Sequence, residues 1–258
     1  MQLIAVDIGN TAIKVVVQTE ANNGRWCDQY VYRNSDPIPS DLPAEPALWS
    51  ICSVNSASLE RLKRWILDHR PGDRIHLISE SDITIRTNVE FRSRVGCDRL
   101  IAAWMALNLT DNQGPLVVID AGTAVTIDRV NEFGVFEGGL IFPGATASLC
   151  QLSQTADALP NLSGPEGLAK IGNFERPSVG QDTEQAMLLG VYKAQLTSIT
   201  CLAGALADSF DQDCHIYATG GGILALEKHL PRQWKIVPDL VLRGVRAIGT
   251  ELLDRVTS

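Results

Sequence analysis

The sequence has no C-x-x-C pair and no H-E-x-x-H segment, although it contains six cysteines and four histidines. Closely spaced cysteines and histidines are the usual ligands of a protein-bound zinc, so we expect no zinc site. Cysteines scattered through a chain of 258 residues are typical of reduced, mostly buried thiols. This pattern predicts a cytoplasmic protein.

An excess of positive charge is also missing. Lys and Arg number 22 against 30 Asp and Glu, which gives a net charge of −8. A chain of this charge has no general attraction to a nucleic-acid backbone or to an anionic membrane surface. We therefore expect neither nucleic acid nor membrane as a partner.

Long uncharged apolar runs are absent as well. A membrane-spanning helix needs about 18 or more such residues. Asp7 interrupts the apolar N-terminus, which also argues against a secretory signal. Lys193 interrupts the run from 187 to 206, which we expect to be a buried helix.

Three widespread catalytic motifs do not occur. The sequence has no G-x-x-x-x-G-K-[ST], no G-x-G-x-x-G after a strand and no G-x-S-x-G. These absences exclude a P-loop enzyme and disfavour a Rossmann dinucleotide site or a hydrolase nucleophile elbow.

What the sequence does contain is an internal repeat. Residues 3–17 (LIAVDIGNTAIKVVV) and 116–130 (LVVIDAGTAVTIDRV) each have an aliphatic run, Asp-x-Gly, a polar turn and a second β-rich run. The two copies lie about half a chain apart, which indicates a duplicated domain. A turn-rich segment at 110–115 separates an N-terminal lobe, 1–112, from a C-terminal lobe, 113–258.

Each copy predicts a strand–turn–strand hairpin, and apolar periodicity predicts helices later in each half. The predicted helices cover 56–70, 98–109, 183–210 and 244–256, with a break considered at Gly190 or Gly204. Further strands are predicted at 47–54, 74–78, 135–141, 215–219 and 235–237. This order predicts an α/β fold of two similar lobes, with the ligand site expected in the cleft between them.

The first hairpin, D-x-G-N-T-x-x-K, suits a nucleotide phosphate. Gly9 lets backbone N–H groups approach a phosphate oxygen. Asn10 and Thr11 add neutral donors, Lys14 adds a positive charge, and Asp7 can hold the Mg²⁺ that accompanies ATP. A plain hairpin turn is the alternative, because Asp, Gly and Asn are common turn residues. The second copy of the pattern favours a phosphate site.

Paired Asp-x-Gly hairpins resemble the two phosphate loops of the acetate kinase, sugar kinase, Hsp70 and actin superfamily. Within it, the chain resembles the type III pantothenate kinases, the family that includes the Bvg accessory factor proteins. The segments that carry this resemblance are Asp7–Lys14, Gly96-Cys97-Asp98-Arg99 (G-x-D-R), Asp120–Thr126, Gly138–Gly144 (G-G-x-I-x-P-G) and Gly180 with Thr183. The resemblance implies a duplicated ribonuclease H-like (actin-like ATPase) fold with two lobes and an interlobe cleft.

The resemblance also implies an activity: transfer of the γ-phosphate of ATP to the primary hydroxyl of pantothenate. This reaction gives 4'-phosphopantothenate and is the first step towards coenzyme A. The implied ATP contacts are Asp7, Ile8, Gly9, Asn10, Thr11, Ala12, Ile13, Lys14 and Thr123. The implied substrate contacts are Gly96, Cys97, Asp98, Arg99 and Thr183.

Three of these side chains have more than one possible role. Asp98 is expected to accept the hydroxyl proton, but an aspartate at this position can also cap the following helix. Arg99 can pair with the pantothenate carboxylate, with the phosphoryl group or with a protein carboxylate. Thr183 can contact the substrate or cap its own helix.

The implied cofactors are Mg²⁺ with ATP at Asp7 and a monovalent cation, K⁺ or NH₄⁺, at Asp120. The implied assembly is a homodimer. Gly220-Gly221-Gly222 can let a loop approach the adenosine or form a plain turn. Gly138–Gly144 is interpreted as mainly structural, with a subunit contact considered.

The sequence departs from the family pattern at one position, and it leaves open the role of one segment and two alternative functions. Val89 stands where the family often has a tyrosine lining the pantothenate pocket, with Phe91 nearby. Residues 159–180 form either a moving loop over the cleft or a solvated connection. Two other functions are considered: a non-catalytic regulatory protein, and a kinase or phosphatase of the same superfamily acting on another small molecule.

Overall fold

The structure is a computed structural model that describes residues 1–18, 30–38, 42, 45–111, 113–170 and 179–257. Its strands are β1 (Gln2–Ile8), β2 (Ala12–Gln18), β3 (Tyr30–Arg33), β4 (Ala47–Ser53), β5 (Arg74–Leu77), β6 (Arg86–Thr87), β7 (Leu116–Ala121), β8 (Ala124–Val130), β9 (Val135–Pro143), β10 (His215–Thr219) and β11 (Lys235–Ile236). Its α-helices are α1 (Ser56–His69), α2 (Cys97–Leu109), α3 (Ala145–Thr155), α4 (Pro165–Lys170), α5 (Thr183–Ala207), α6 (Gly221–Leu226) and α7 (Leu240–Thr257).

The chain divides into two units with separate cores. The first unit consists of Met1–Ile85, Val89–Asn108 and Asp239–Ser258. The second consists of Arg86–Asn88 and Leu109–Pro238.

A five-stranded sheet in the order β3-β2-β1-β4-β5 forms the centre of the first unit. The first three strands are antiparallel neighbours, whereas β1, β4 and β5 run parallel. All of β1 and most of β4 are buried. This burial explains their near-continuous apolar sequences, because a central strand covered on both faces has no need of polar alternation.

Helix α7 packs against β1 and β4, and it therefore belongs to the first unit. Close approach is possible because Gly249 faces Ser50, where an added Cβ would lie only 2.8 Å from the Ser50 Cβ. The buried side chains of Leu242, Val245 and Ile248 cover the sheet. The C-terminal lobe predicted from the sequence, 113–258, includes this helix. The helix begins four residues before the predicted start at 244.

The second unit repeats the topology of the first. Its six-stranded sheet has the order β11-β10-β7-β8-β9-β6. Strands β9, β8, β7, β10 and β11 match β3, β2, β1, β4 and β5 in order and in relative direction. The duplication that the sequence repeat predicted is thus present as two copies of one sheet arrangement.

Helix α5 runs unbroken for 25 residues and ends at 207, three residues before the predicted end. Gly190 and Gly204 do not interrupt it, and a Cβ at either position would meet no atom within 4 Å. Within the described part of the chain, α5 is the one helix long and apolar enough to suit a membrane span. Its Leu188 and Ile199 side chains are buried in the core of the second unit, as the sequence predicted.

Several short elements escaped sequence analysis. Strand β3 has four residues and α6 begins within three glycines. In α3 only Leu149 is fully buried, so no apolar stripe marks the helix. Helix α4 lies inside the segment 159–180 that was expected to be a loop, and residues 171–178 of that segment are outside the described residues.

Candidate active site

The first Asp-x-Gly hairpin joins β1 to β2. Asp7 lies opposite Lys14 across the two strands, and the backbone N–H of Gly9 donates to the carbonyl oxygen of Ala12 at 3.0 Å. Ile8 and Ile13 are fully buried in the core. Of the predicted contacts in this segment, these two can therefore offer only backbone groups to a nucleotide.

Asn34, which follows β3, holds this hairpin from outside. Its side-chain amide donates to the carbonyl oxygens of Gly9 and Asn10 at 3.0 and 2.9 Å. Its backbone N–H donates to the carbonyl oxygen of Thr11 at 3.1 Å. Carbonyl oxygens repel a phosphate, so a residue that engages three of them favours anion binding by the loop. Asn34 is not among the predicted site residues, and the Asn-Ser-Asp turn that it begins is the one local signal for it in the sequence.

Lys14 forms an ion pair with Asp239, the residue that precedes α7, at 3.1 Å. The two side chains are 28% and 32% exposed. Asp239 also has a φ of 56°, which is unusual outside glycine and asparagine. The positive charge expected to meet a phosphate is thus shared with a carboxylate of the same unit.

The G-x-D-R segment forms the start of α2. A Cβ at Gly96 would collide with Oδ1 of Asp98, so a larger residue there would require this carboxylate to move. Asp98 Oδ1 accepts from the backbone N–H of Arg99 at 2.8 Å. Burial raises the pKa of Asp98, and the Arg99 N–H and guanidinium oppose that rise. Asp98 thus satisfies an N–H of the first turn, as the capping alternative requires, and its burial does not conflict with the expected role as a base.

Cys97 connects this segment to the first hairpin. Its Sγ lies 2.7 Å from Sγ of Cys52, at the end of β4. Cys52 is fully buried and lies beside Asp7 in the β1–β4 register. The hydrogen bond to Cys97, burial, and the nearby charges of Asp7 and Asp98 raise the pKa of Cys52. Asp7 and Asp98 therefore both lie close to the Cys52–Cys97 pair.

The second hairpin joins β7 to β8 and has the same turn bond, from the Gly122 N–H to the Ala124 carbonyl at 3.0 Å. Asp120 lies opposite Thr126, so a neutral residue stands where the first hairpin has a lysine. Thr123 is half-buried, and its carbonyl accepts from the Gly144 N–H at 2.9 Å.

Two glycines crowd this second hairpin. Gly220 has a φ of 93°, and a Cβ there would lie 2.5 Å from both Asp120 Oδ1 and the Ala121 carbonyl oxygen. A Cβ at Gly144 would overlap the Gly122 carbonyl oxygen. The glycine run at 220–222 is thus more than a surface turn, because it brings the end of β10 against Asp120. Gly144 has a structural role, as predicted.

Thr183 is exposed and forms the first residue of α5 in the second unit. The cap of this helix is Asp182, whose side chain accepts from the Gln185 N–H at 2.8 Å. The alternative reading of Thr183 as the helix cap is therefore wrong. Gly180 packs closely on the backbone of Ala186, which fixes the approach to this helix start.

The departure at Val89 is visible in the structure. Val89 is half-buried, and Phe91 is 47% exposed with the Arg94 guanidinium 4.3 Å above its ring. Neither side chain has a hydroxyl, so the hydrogen bonds a tyrosine can make have no counterpart at these two positions.

The carboxylates suit ions that accompany a nucleotide. In the described ranges no three His, Cys, Asp or Glu side chains gather into a metal cage. Mg²⁺ at a kinase site commonly takes one or two protein carboxylates and completes its shell with phosphate oxygens and water. The buried carboxylate of Asp7 fits that requirement.

Comparison with known proteins agrees with this geometry. A sequence profile of the type III pantothenate kinases matches residues 3–204. A type III pantothenate kinase from Rhodopirellula baltica is 30% identical over 95% of this chain and 97% of the relative.

Among solved structures, a protein assigned to the Baf family of transcriptional activators from Campylobacter jejuni has a TM-score of 0.58 at 20% identity, covering 98% of this chain and 100% of that one. A ROK family glucokinase from Streptomyces griseus has a TM-score of 0.50 at 13% identity, covering 97% and 100%.

Two copies of one sheet, each opened by an Asp-x-Gly hairpin, define the ribonuclease H-like fold of the actin-like ATPases and sugar kinases. The predicted fold class is confirmed. Within this class, the chain belongs to the type III pantothenate kinase family, as the matched profile and the full-length relative show.

Proposed function

We propose that this protein transfers the terminal phosphate of ATP to the primary hydroxyl of pantothenate, forming 4'-phosphopantothenate in the first step of coenzyme A synthesis. It is a phosphotransferase of the type III pantothenate kinase family. The observation that carries the proposal is the grouping of the Asp7 hairpin with the Asp98 segment around Cys52 and Cys97.

The chain's own groups divide the work as follows. Backbone N–H groups of Gly9 to Thr11 and the ammonium of Lys14 bind the ATP phosphates, with Asn34 holding the loop. Thr123 donates to the same phosphates. Asp98 accepts the proton of the attacking hydroxyl, and its raised pKa suits a base that must take a proton near neutrality.

Substrate orientation falls to the remaining predicted contacts. Arg99 follows Asp98 directly, and its guanidinium matches either a carboxylate or a phosphoryl group. Gly96 and the half-buried Cys97 border the Asp98 carboxylate, and Thr183 offers an exposed hydroxyl in the second unit. Phe91 and Val89 give the pantothenate pocket an apolar wall in place of a tyrosine.

Two cations complete the proposal. Mg²⁺ enters with ATP and offsets the charge of the phosphates. Asp7 contributes its carboxylate to that ion, directly or through water. Asp120 holds a monovalent cation, K⁺ or NH₄⁺, at the second hairpin.

We also propose a cytoplasmic homodimer. Ile141 on β9 is 61% exposed, and burial of this aliphatic side chain between two subunits would favour association. Light scattering after size-exclusion chromatography tests this: Ile141→Lys shifts the mass towards a monomer, and an unchanged mass contradicts a contact at this strand.

The reaction is tested by measuring ADP release from ATP with pantothenate, with glucose, with N-acetylmannosamine and with no acceptor. Pantothenate-dependent ADP release, with a product heavier than pantothenate by one phosphoryl group, is expected. Release that needs no acceptor would indicate a phosphatase, and release only with a sugar would indicate another kinase. If the protein binds ATP but transfers its terminal phosphate to none of these acceptors, the regulatory alternative is supported.

A further inference from the structure

Two cysteines face each other at the centre of the proposed site, and phosphoryl transfer uses neither sulfur. Sγ of Cys52 and Sγ of Cys97 are 2.7 Å apart. A disulfide bond measures about 2.05 Å, so the two atoms need approach by only about 0.7 Å to be bonded. Residues 45 positions apart in sequence have thus been brought almost to bonding distance.

The two thiols differ in access. Cys52 has no exposed surface, whereas Cys97 is only partly buried and is the first residue of α2. A small oxidant therefore reaches the sulfur of Cys97 first, and the buried sulfur of Cys52 lies next to it. This arrangement of one accessible thiol and one adjacent resolving thiol is typical of redox-sensing cysteine pairs.

We propose that Cys52 and Cys97 form a reversible disulfide that switches off the kinase when the cell is exposed to peroxide. Cytosolic disulfides are usually transient and redox-sensing, which fits a pair at an active site better than a permanent structural bond. The effect on turnover rests on the proposed function, but formation of the bond does not.

The chemistry takes two steps with a peroxide as oxidant. The Cys97 sulfur attacks the O–O bond, which breaks to give Cys97 sulfenic acid and one water. The Cys52 sulfur then attacks that sulfur, the S–O bond breaks, and a second water leaves with the Cys52 proton. Two thiols lose two electrons, and one hydrogen peroxide becomes two waters. A reduced dithiol reverses the change by thiol–disulfide exchange.

The bond acts on catalysis through the residues next to each sulfur. Cys97 precedes Asp98, and Cys52 lies beside Asp7 in the β1–β4 register. A disulfide imposes its own dihedral angle near 90° and draws the first turn of α2 towards β4. Asp98 already fills the space above Gly96, so its carboxylate must move with the turn. A displacement of about 1 Å in a reacting group costs up to roughly 10²-fold in rate.

The test uses a pair-only protein in which Cys27, Cys150, Cys201 and Cys214 are replaced by serine. It is treated with hydrogen peroxide, quenched, alkylated and digested for mass spectrometry, and its turnover is measured before and after dithiothreitol. We expect a peptide joining Cys52 to Cys97, a fall in turnover of about tenfold or more, and recovery on reduction.

Two variants made in the pair-only protein serve as controls. Cys52→Ala removes the resolving thiol, so dimedone, which labels sulfenic acids, should mark Cys97 more strongly than in the pair-only protein. The double variant Cys52→Ala, Cys97→Ala should keep its own untreated rate under peroxide.

Absence of the Cys52–Cys97 peptide under these conditions would overturn the proposal, and so would a disulfide that leaves turnover unchanged. Loss of activity in the double variant under peroxide would show that a group other than these two thiols causes the inactivation, and this would also overturn the proposal. A fully reduced protein without activity on pantothenate would instead overturn the proposed function, and the peptide map would still decide whether the disulfide forms.

Discussion

The carboxylate of Asp98 occupies the space where any residue other than glycine at position 96 would carry its Cβ atom. The lack of a side chain at Gly96, rather than backbone strain, therefore leaves the proposed base in this position. Gly96→Ala should push this carboxylate aside and lower kcat on pantothenate by about 10²-fold, the scale of a 1 Å misplacement. The KM for ATP should change little. Steady-state kinetics with both substrates measure this.

Gly72→Ala is the matched control. It lies in the same unit, and its Cβ would meet nothing closer than 4.0 Å, so it adds a methyl group without displacing a neighbour. Normal kcat in Gly96→Ala would show that the close contact with Asp98 does not matter for catalysis.

Asp98→Asn should lower turnover by about 10²–10⁴-fold, the usual contribution of a general base. Because burial raises the pKa of Asp98, the wild-type kcat/KM should fall as the pH drops through a pKa above the ordinary value of 3.8. The variant should lose this acidic limb. Near-normal turnover in Asp98→Asn would remove Asp98 as the base.

The contribution of Asp98 to folding stability should change with pH in the opposite direction to kcat/KM. A raised folded-state pKa means that the folded protein favours the neutral carboxyl, so the stabilising contribution of Asp98 is present at low pH and lost as the pH rises through the folded pKa. Asp98→Asn is neutral at every pH, and its Tm should gain on the wild type between pH 4 and pH 7.5. The exposed Asp68→Asn, in the same unit, is measured as the control.

The ion pair between Lys14 and Asp239 should tune ATP affinity. Asp239→Asn keeps a residue that tolerates the positive φ but removes the charge that competes for Lys14. The KM for ATP should fall by about 2–5-fold, on the scale of a partly exposed ion pair of up to about 1 kcal/mol. Lys14→Met should raise this KM.

A double-mutant cycle separates the two charges. In the Lys14→Met background, Asp239→Asn should leave the KM for ATP unchanged, because the lysine it would release is gone. An equal effect in both backgrounds would show that Asp239 acts on ATP independently of Lys14.

Asn34→Ala should weaken ATP binding by freeing the carbonyls of Gly9 and Asn10. Two hydrogen bonds of about 1 kcal/mol each correspond to a rise in the KM for ATP of roughly 5–30-fold. Asn131→Ala is the control, since Asn131 makes comparable bonds to Glu137 and Phe133 in the second unit. Equal KM values for the two variants would reduce Asn34 to a loop-stabilising residue.

The sequence was sufficient for features that depend on neighbouring residues. The two Asp-x-Gly turns, the strands around them and the start of α2 all follow from local turn chemistry and apolar patterning. Gly96 and Asp98 are two residues apart, and both belong to the G-x-D-R segment that the sequence singled out.

Contacts between distant segments were not predictable from patterns. Asn34 reaches the first hairpin from 25 residues away, and Cys52 reaches Cys97 from 45 away. Lys14 meets Asp239 only because α7 returns to the first sheet. Tertiary packing decides such contacts, and a single sequence carries no periodic pattern for them.

The two hairpins differ in charge, and this difference bears on the cation proposed at Asp120. At the first hairpin Asp7 lies opposite Lys14, whereas at the second Asp120 lies opposite neutral Thr126. ATP brings about four negative charges and Mg²⁺ offsets two of them. A monovalent cation at Asp120 would supply near the second hairpin the positive charge that Lys14 supplies at the first.

Turnover should therefore rise with potassium or ammonium and much less with sodium, whose smaller radius fits loose oxygen coordination poorly. Rates are measured in Tris buffer with each chloride salt added at fixed ionic strength, so that general screening is constant. Asp120→Ala should remove the dependence together with most activity. Because a cation at Asp120 would attract the ATP phosphates as Lys14 does at the first hairpin, potassium should also lower the KM for ATP in the wild type. Equal rates and KM values in sodium and potassium, in an enzyme active on pantothenate, would return Asp120 to a divalent-ion or structural role.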